Sequence, residues 1–252
     1  MPFTFSHPAA IVPFRLLPKQ WTSLTGLVIG SMAPDFEYFI RMRGYGTYGH
    51  TWFGLIWFCI PVAITLAFIY HYIVRDAFLD NLPEFLRRRT VSFKNFNWKG
   101  YFKEHYWIVI ISIVIGACTH VIWDGFTHKH GLFVKKNGWF DQAFIIGGYI
   151  MPRYKMLQHS STVVGGLFIL YALLRLPVHE KIIYPKSISP YWITVVFTMI
   201  TVFAVRMLIA SDHDKRSFNV IIVTLVAGWL IGMVVAGLFQ RRVKSPEIRT
   251  EQ

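Results

Sequence analysis

Five long stretches of the chain are almost free of ionisable residues, and they constrain the fold more than any other feature. They cover residues 52–74, 106–123, 161–176, 191–210 and 218–239. A transmembrane α-helix needs roughly 20 mostly apolar residues to cross the hydrocarbon layer of a bilayer. Only 15% of the chain is charged, whereas soluble domains carry about 25% charged residues. The pattern predicts an all-α, polytopic membrane helix bundle with five transmembrane helices.

A sixth apolar stretch, residues 21–40, is interrupted by Pro34, Asp35 and Glu37. Proline breaks the hydrogen-bond ladder of a helix, and carboxylates are costly inside a bilayer. This stretch is therefore predicted to be a broken or partly inserted helix. Because no internal repeat or low-complexity segment divides the chain, we expect one integral membrane domain over residues 1–252.

The distribution of basic residues predicts the orientation. The loops 75–105, 177–190 and 240–252 carry 13 Lys and Arg residues, and the regions on the opposite face carry 11. Positive residues favour the cytoplasmic face, so these loops are predicted to lie inside. The net charge of +13 suits membrane lipids with anionic headgroups as partners. No basic recognition motif accompanies it, so nucleic acid is not expected as a partner.

A histidine and an aspartate mark the end of the second apolar stretch. His120 and Asp124 are four residues apart, so both project from one face of a helix. Asp124 either binds the same metal ion as His120 or accepts the second ring proton of His120. An ordinary hydrogen bond between the two at the membrane interface is an equally open interpretation of this motif alone.

Topology strengthens the metal interpretation. His50 precedes the first span, His120 lies near the end of the second and His159 precedes the third, so all three are predicted to lie on one membrane face. His7, Asp35 and Glu37 join them if residues 21–40 do not cross, although Pro34 with acids behind it also resembles an ordinary helix start. Histidines and carboxylates that converge from separate helices build the metal sites of helical bundles.

The predicted ligands share one chemistry: they offer imidazole nitrogen or carboxylate oxygen, and none offers a thiolate. Such a set suits zinc best, and iron or manganese also fit. The candidates are His7, Asp35, His50, His120, Asp124 and His159.

Four segments together resemble an uncharacterised bacterial membrane family that is described only as a domain of unknown function. They are the opening MPFTFSHPA, the turn MAPDFE that ends at Glu37, the helix motif GxxxHxxxD that ends at Asp124, and the element LQHS around His159. The resemblance covers nearly the whole chain. It implies a bacterial inner-membrane protein, with the His/Asp cluster on the non-cytoplasmic face if the basic loops lie inside.

More distantly, the order of these motifs looks like inner-membrane proteins described as metal-dependent hydrolases, and those resemble the helical zinc phospholipase C and single-strand nuclease group. His7, Asp35, His50, His120 and Asp124 match the motif positions of these proteins. In the relatives the turn often reads Pro-Asp-x-Asp-His, whereas here Glu37 replaces the second acid and the histidine is missing. A two-histidine element is also reduced to His50, and His159 is the candidate for the missing imidazole.

If the site is catalytic, this resemblance implies hydrolysis of a phosphoester, and a lipid-linked substrate would suit a site at headgroup level. Asp124 or Glu37 would act as the base, and His159 or His128 as the acid. Arg41, Arg43 or Arg153 would hold the phosphate, although arginines near a membrane boundary also commonly extend towards water.

Two other classes of function remain open on the sequence. A transporter would use polar residues inside the membrane, and Arg206 is such a residue. A non-enzymatic scaffold would use the His/Asp cluster as a structural network. Bound metal separates the hydrolase from both alternatives, and the oligomeric state is not predicted.

Overall fold

The structure is a computed structural model that describes residues 4–18, 20–179 and 187–243. Its α-helices are α1 (Leu24–Gly30), α2 (Phe36–Arg41), α3 (Trp52–Asp80), α4 (Glu84–Thr90), α5 (Trp98–Thr127), α6 (Leu132–Lys136), α7 (Arg153–Leu174), α8 (Ser189–Ile209), α9 (Asp212–Arg216) and α10 (Phe218–Val243). Short 3-10 helices cover Thr4–Leu16, Ala33–Asp35 and Val91–Asn95. The all-α prediction is confirmed.

Five of these helices, α3, α5, α7, α8 and α10, are long and apolar enough to cross a membrane. Helix α5 has 30 residues, but His105 has non-helical φ and ψ of −127° and 28°, so the helix is kinked there. Residues 106–127 after the kink span about 33 Å, enough for the hydrocarbon core of a bilayer. The kink directly precedes the predicted stretch 106–123, whereas α7 begins eight residues before the apolar stretch that predicted it. Polar residues can extend a helix into the interface, so hydropathy alone does not mark its ends.

Helix α3 contains two π-helical segments. Leu55–Cys59 and Tyr70–Val74 are π-helical, whereas Trp52–Gly54, Ile60–Ile69 and Arg75–Asp80 are α-helical. Single π-helical turns are often found at functional sites. The first of them follows closely on the loop that carries His50.

Residues 21–40 form the broken helix that the sequence predicts. The Ser23 hydroxyl caps α1 by accepting a hydrogen bond from the Gly26 amide at 3.2 Å. The helix has only 7 residues, about 10 Å at 1.5 Å per residue, and so cannot cross the bilayer. The 3-10 turn Ala33–Asp35 then carries Pro34 near its start and leads into α2.

A β-hairpin between α6 and α7 was not predicted. Strands β1 (Ala143–Ile146) and β2 (Tyr149–Pro152) pair antiparallel, with Ile146 opposite Tyr149. Gly147 and Gly148 form the two-residue turn with φ of 57° and 83°, the positive values that such hairpin turns require. The Gly-Gly pair between two apolar runs was a sequence signal for this hairpin.

The chain divides into two compact units. The first unit contains the described residues of Met1–Glu37, Thr47–Ile64 and Lys99–Arg175, and the second contains those of Tyr38–Gly46, Thr65–Trp98 and Leu176–Gln252. All six predicted metal ligands belong to the first unit. The prediction of a single domain stays a prediction.

In the first unit, α1 packs against α5 at very close range. A side chain at Gly30 would collide with the backbone of Ile113, and one at Gly116 would collide with the backbone of α1. The Ser23 amide also donates a hydrogen bond to the Ser112 hydroxyl at 2.8 Å. This contact fixes the turn after α1, which carries Asp35, against the helix that carries His120.

In the second unit, α8 and α10 pack through two small residues. Side chains at Gly228 and Gly232 would meet the backbone of Met199 and Val195, as expected for a small-xxx-small contact between membrane helices. Val195 and Tyr191 lie in the buried core of this unit.

Candidate metal centre

Four segments of the first unit bring the candidate ligands together. His7 lies in the 3-10 helix Thr4–Leu16, and Asp35 ends the 3-10 turn Ala33–Asp35. His50 lies in the loop just before α3. His120 and Asp124 lie one turn apart near the end of α5, on the same face of the helix. The site therefore lies at the ends of two helices, α3 and α5, that are long and apolar enough to cross a membrane.

Asp35, His50, His120 and Asp124 each offer one ligand atom, and these four atoms lie within 4.8 Å of one another. His50 Nε2 lies 3.3 Å from His120 Nε2. It also lies 3.4 Å from Asp35 Oδ1 and 3.3 Å from Asp124 Oδ2. His120 Nε2 lies 3.5 Å from Asp35 Oδ1 and 3.4 Å from Asp124 Oδ2.

These five distances suit a tetrahedral metal site. A regular tetrahedron with edges of 3.3–3.5 Å has its centre about 2.0–2.1 Å from each corner, close to the bond lengths of zinc to histidine nitrogen and carboxylate oxygen. The residues present therefore fit a divalent cation in both donor type and spacing.

A backbone carbonyl sets the tautomer of His120. The Ser31 carbonyl oxygen, which can only accept, lies 2.7 Å from His120 Nδ1, so Nδ1–H donates to it. In neutral His120 the lone pair then lies on Nε2, which faces the other three ligands. Metal-binding histidines commonly have this kind of support.

A hydroxyl group orients Asp35. Thr4 donates a hydrogen bond to Asp35 Oδ2 at 2.5 Å. The other oxygen, Oδ1, is buried and has no hydrogen-bond partner among the described residues, and the same holds for Asp124 Oδ1. Buried polar atoms are almost always hydrogen-bonded. Unsatisfied carboxylate oxygens here indicate that the cluster needs a cation or a proton.

His7 packs beside these four residues. Its ring stacks on His120 with the centroids 3.8 Å apart, and its Nε2 lies 3.6 Å from Asp124 Oδ1. Neither ring nitrogen has a hydrogen-bond partner in the part of the chain that the structure describes. Burial, reinforced by His120, lowers the pKa of His7 to about 3, so the ring is neutral and offers a lone pair.

The two carboxylates and the histidines adjust each other's ionisation. Burial alone would raise the pKa of Asp35, but His120 and His50 hold it below its usual range. Burial opposes the charge on His50, yet the nearby carboxylates of Asp124 and Asp35 raise its pKa. The cluster therefore favours ionised carboxylates, the form that binds a metal ion.

Glu37 holds the loop before His50 through four hydrogen bonds, and its role as a base stays a prediction. Its Oε1 accepts hydrogen bonds from the amide and hydroxyl of Thr47, and its Oε2 accepts from the amides of Tyr48 and Gly49, at 2.7–3.0 Å. These bonds outweigh the effect of burial and lower the pKa of Glu37. Both oxygens are engaged in holding the loop that carries His50, which explains an acid at this position without assigning it to catalysis.

His128 and His159 lie differently with respect to the cluster. His128 is half-buried, and its Nδ1 lies 3.4 Å from Asp124 Oδ1, while burial lowers its pKa. His159 is exposed on α7 and lies outside the group of four ligands. Its neighbour Gln158 is buried, and adjacent helical residues point in different directions.

The arginines predicted to hold phosphate belong to different units. Arg153 lies in the first unit, where its guanidinium stacks 4.5 Å from the Trp139 ring and 5.1 Å from that of Phe144. Arg41 and Arg43 belong to the second unit. Their role at the metal centre stays a prediction.

Comparisons with known proteins give one match. No curated protein and no solved structure matches the chain. One family model, described as "Domain of unknown function (DUF4184)", matches residues 1–238, a range that includes every candidate ligand. The chain therefore belongs to the DUF4184 family.

Proposed function

We propose that this protein is a membrane-embedded, metal-dependent hydrolase that cleaves a phosphoester at the membrane surface. The observation that carries the proposal is the convergence of two imidazole nitrogens and two carboxylate oxygens within 4.8 Å. Zinc is the preferred ion on geometry, and iron or manganese would suit the same donors.

The chain's own residues supply the remaining functions. Asp35, His50, His120 and Asp124 would hold the ion, which when bound lowers the pKa of a water molecule towards about 7. His7 places a neutral imidazole beside Asp124 and can add a ligand to the ion. His128, which also contacts Asp124, is the candidate proton donor to a leaving group. Glu37 positions His50.

The site has an opening to its surroundings. His120 and Asp35 are buried, but the side chains of His50, Asp124 and His128 are 26%, 10% and 29% exposed. A substrate would therefore approach past His50 and His128. Because the centre lies at the ends of α3 and α5, a phosphoester in a lipid headgroup, or one linked to a lipid, is the proposed substrate.

The alternative is a non-enzymatic scaffold or a transporter in which a proton replaces the metal ion. His50 Nε2 and His120 Nε2 are 3.3 Å apart, so a single proton shared between them would also hold the cluster together. This arrangement needs no metal, and metal content distinguishes it from the hydrolase.

The first experiment is elemental analysis of the detergent-purified full chain, compared with His120→Ala and Asp124→Asn. We expect about one zinc, iron or manganese ion per chain, lost in both variants. His159→Ala serves as the control, because His159 is an exposed histidine outside the cluster. A wild-type protein without metal, even after incubation with these ions, would rule out the hydrolase.

If the purified protein contains metal, the metal-bound protein is assayed for phosphate release from phospholipids and lipid-linked phosphates. Activity that disappears in Asp124→Asn and persists in His159→Ala supports the proposal. A metal-loaded protein that hydrolyses none of these substrates contradicts the assigned chemistry.

A further inference from the structure

A basic cavity lies in the second unit, where α8 ends and α2 ends. Its volume is about 530 Å³, and its lining includes Arg41, Arg43, Arg206, Asp214, Ile40 and Ile209. Cavities of this size, about 300–1,000 Å³, are typical of small-molecule sites. None of its lining residues is a ligand of the proposed metal centre, so a ligand site in this cavity would not depend on that proposal.

The charges of the lining do not balance. Asp214 accepts a hydrogen bond from Arg206 at 2.9 Å, and the Arg206 side chain is only 13% exposed. Arg43 donates to the neutral hydroxyl of Tyr45 at 3.0 Å, which leaves its charge uncompensated by that contact. The lining therefore contains three guanidinium groups and one carboxylate, and a surface rich in positive charge attracts anions.

The backbone between two of the arginines is strained. Met42 has φ of 47°, a left-handed conformation that non-glycine residues rarely adopt. Its amide and that of Arg43 donate to the carbonyls of Phe39 and Tyr38 at 3.4 and 3.2 Å. This turn ends α2 and brings Arg41 and Arg43 to the same cavity. Strained residues of this kind often occur at ligand sites.

The position of the cavity indicates which anion it would meet. Arg206 lies in the last turn of the spanning helix α8, at the level of the membrane boundary. Ile40 and Ile209 on the lining are both exposed, so an apolar border adjoins the arginines. A lipid presents the matching combination, a charged headgroup next to acyl chains, and guanidinium groups bind phosphate through paired hydrogen bonds.

We propose that this cavity binds the phosphate group of an anionic ligand, with Arg41, Arg43 and Arg206 as its donors. A phosphomonoester carries about −1.5 to −2 charges at neutral pH, opposite in sign to the three guanidinium groups. The phosphate belongs either to a lipid headgroup or to a free phosphate compound. The acyl chains of a lipid would also cover Ile40 and Ile209, whereas a free phosphate compound would leave both exposed.

The test measures binding of the full chain in detergent to short-chain phosphatidic acid, with phosphatidylcholine of the same chain length for comparison. The wild type should bind phosphatidic acid, and Arg41→Gln/Arg43→Gln should weaken binding by about tenfold or more. Lys215→Gln/Arg216→Gln removes the same charge from the neighbouring helix α9 and should bind like the wild type. Arg41→Lys/Arg43→Lys should recover part of the lost affinity.

Inorganic phosphate distinguishes the two sources. If it competes with phosphatidic acid only weakly, the site takes a lipid headgroup; if it competes as well as the lipid, the site takes a free phosphate compound. Equal binding of the wild type and Arg41→Gln/Arg43→Gln would overturn the site. An equal loss in Lys215→Gln/Arg216→Gln would do the same, because it would reveal a general charge effect. The melting temperature and metal content of each variant confirm that it is folded.

Discussion

Single residues around the metal centre hold their neighbours in place through hydrogen bonds of different kinds. Glu37 uses both carboxylate oxygens to fix the loop 47–49 that leads to His50. Thr4 orients Asp35, and the Ser31 carbonyl orients His120. Such supporting contacts commonly change metal affinity by about 10–100-fold when they are lost.

Replacing Glu37 by Gln tests this support. The amide group of glutamine would place N–H donors against the backbone N–H donors of Tyr48 and Gly49. We expect a loss of about 2–3 kcal/mol in the free energy of unfolding, typical of a broken charged hydrogen bond, together with lower metal content. Thermal unfolding and elemental analysis measure the two effects.

Glu104→Gln is the matched control, because Glu104 is exposed on α5. If Glu37→Gln kept wild-type metal content and stability, the loop would not depend on this carboxylate.

The sequence predicted the candidate ligands of the cluster better than it predicted the residues that support them. The four-residue spacing of His120 and Asp124 and the positions of Asp35 and His50 next to spans were visible in the sequence. The hydrogen bond from His120 to the Ser31 carbonyl was not visible in the sequence. Every residue has a carbonyl group, and only the folded structure determines which one lies beside His120. The hydrogen bonds of Glu37 to residues 47–49 could not be predicted either, because they depend on a loop conformation that the spacing of residues does not reveal.

At the scale of elements, the close contact between α1 and α5 sets the distance between Asp35 and His120. Gly30 allows the contact because a side chain there would collide with the backbone of Ile113. Gly116 contributes in the same way from α5. The metal centre thus depends on helix packing several residues away from the ligands.

Gly30→Ala should therefore force the two helices apart. We expect a cost of about 1–3 kcal/mol for the added volume and weaker metal binding, because a tetrahedral site tolerates little change in distance. A zinc titration with a competing chelator measures the affinity. Gly166→Ala is the control, since its added carbon would meet only the Ser6 hydroxyl, at 4.0 Å. Wild-type affinity in Gly30→Ala would contradict the dependence of the site on this helix contact.

Hydropathy predicted the spanning helices because a bilayer imposes length and composition on any helix that crosses it. It did not predict where α7 begins, because polar residues are tolerated at the interface. The hairpin β1–β2 was missed for another reason: its strands have only four residues each, too few to show a periodic pattern.

At the scale of the whole molecule, a bound ion would join chain segments that are far apart in sequence. Asp35, His50 and His120 belong to three separate segments of the first unit. An ion that binds only the folded protein stabilises it by about 4 kcal/mol at a concentration of 1,000 times its dissociation constant. Metal content and thermal stability are therefore expected to change together.

Removal of the ion with a chelator should lower the melting temperature of the wild type by roughly 8–16 °C under those conditions, at about 2–4 °C per kcal/mol. Addition of zinc should restore it. Asp124→Asn should melt at one temperature with or without chelator, because it has no ion to lose. If the chelator left the melting temperature of the wild type unchanged as well, the metal would not contribute to the stability of the fold.

The order of the ligands along the chain also has a consequence for biosynthesis. Asp124 is the last of the four ligands, and it precedes α7, α8 and α10. The full set of donor atoms thus exists once α3 and α5 have been made, while α7, which accepts the Ser6 hydrogen bond at Thr162, has still to follow. If the cluster binds a metal ion, binding can therefore begin while the rest of the chain is still being synthesised.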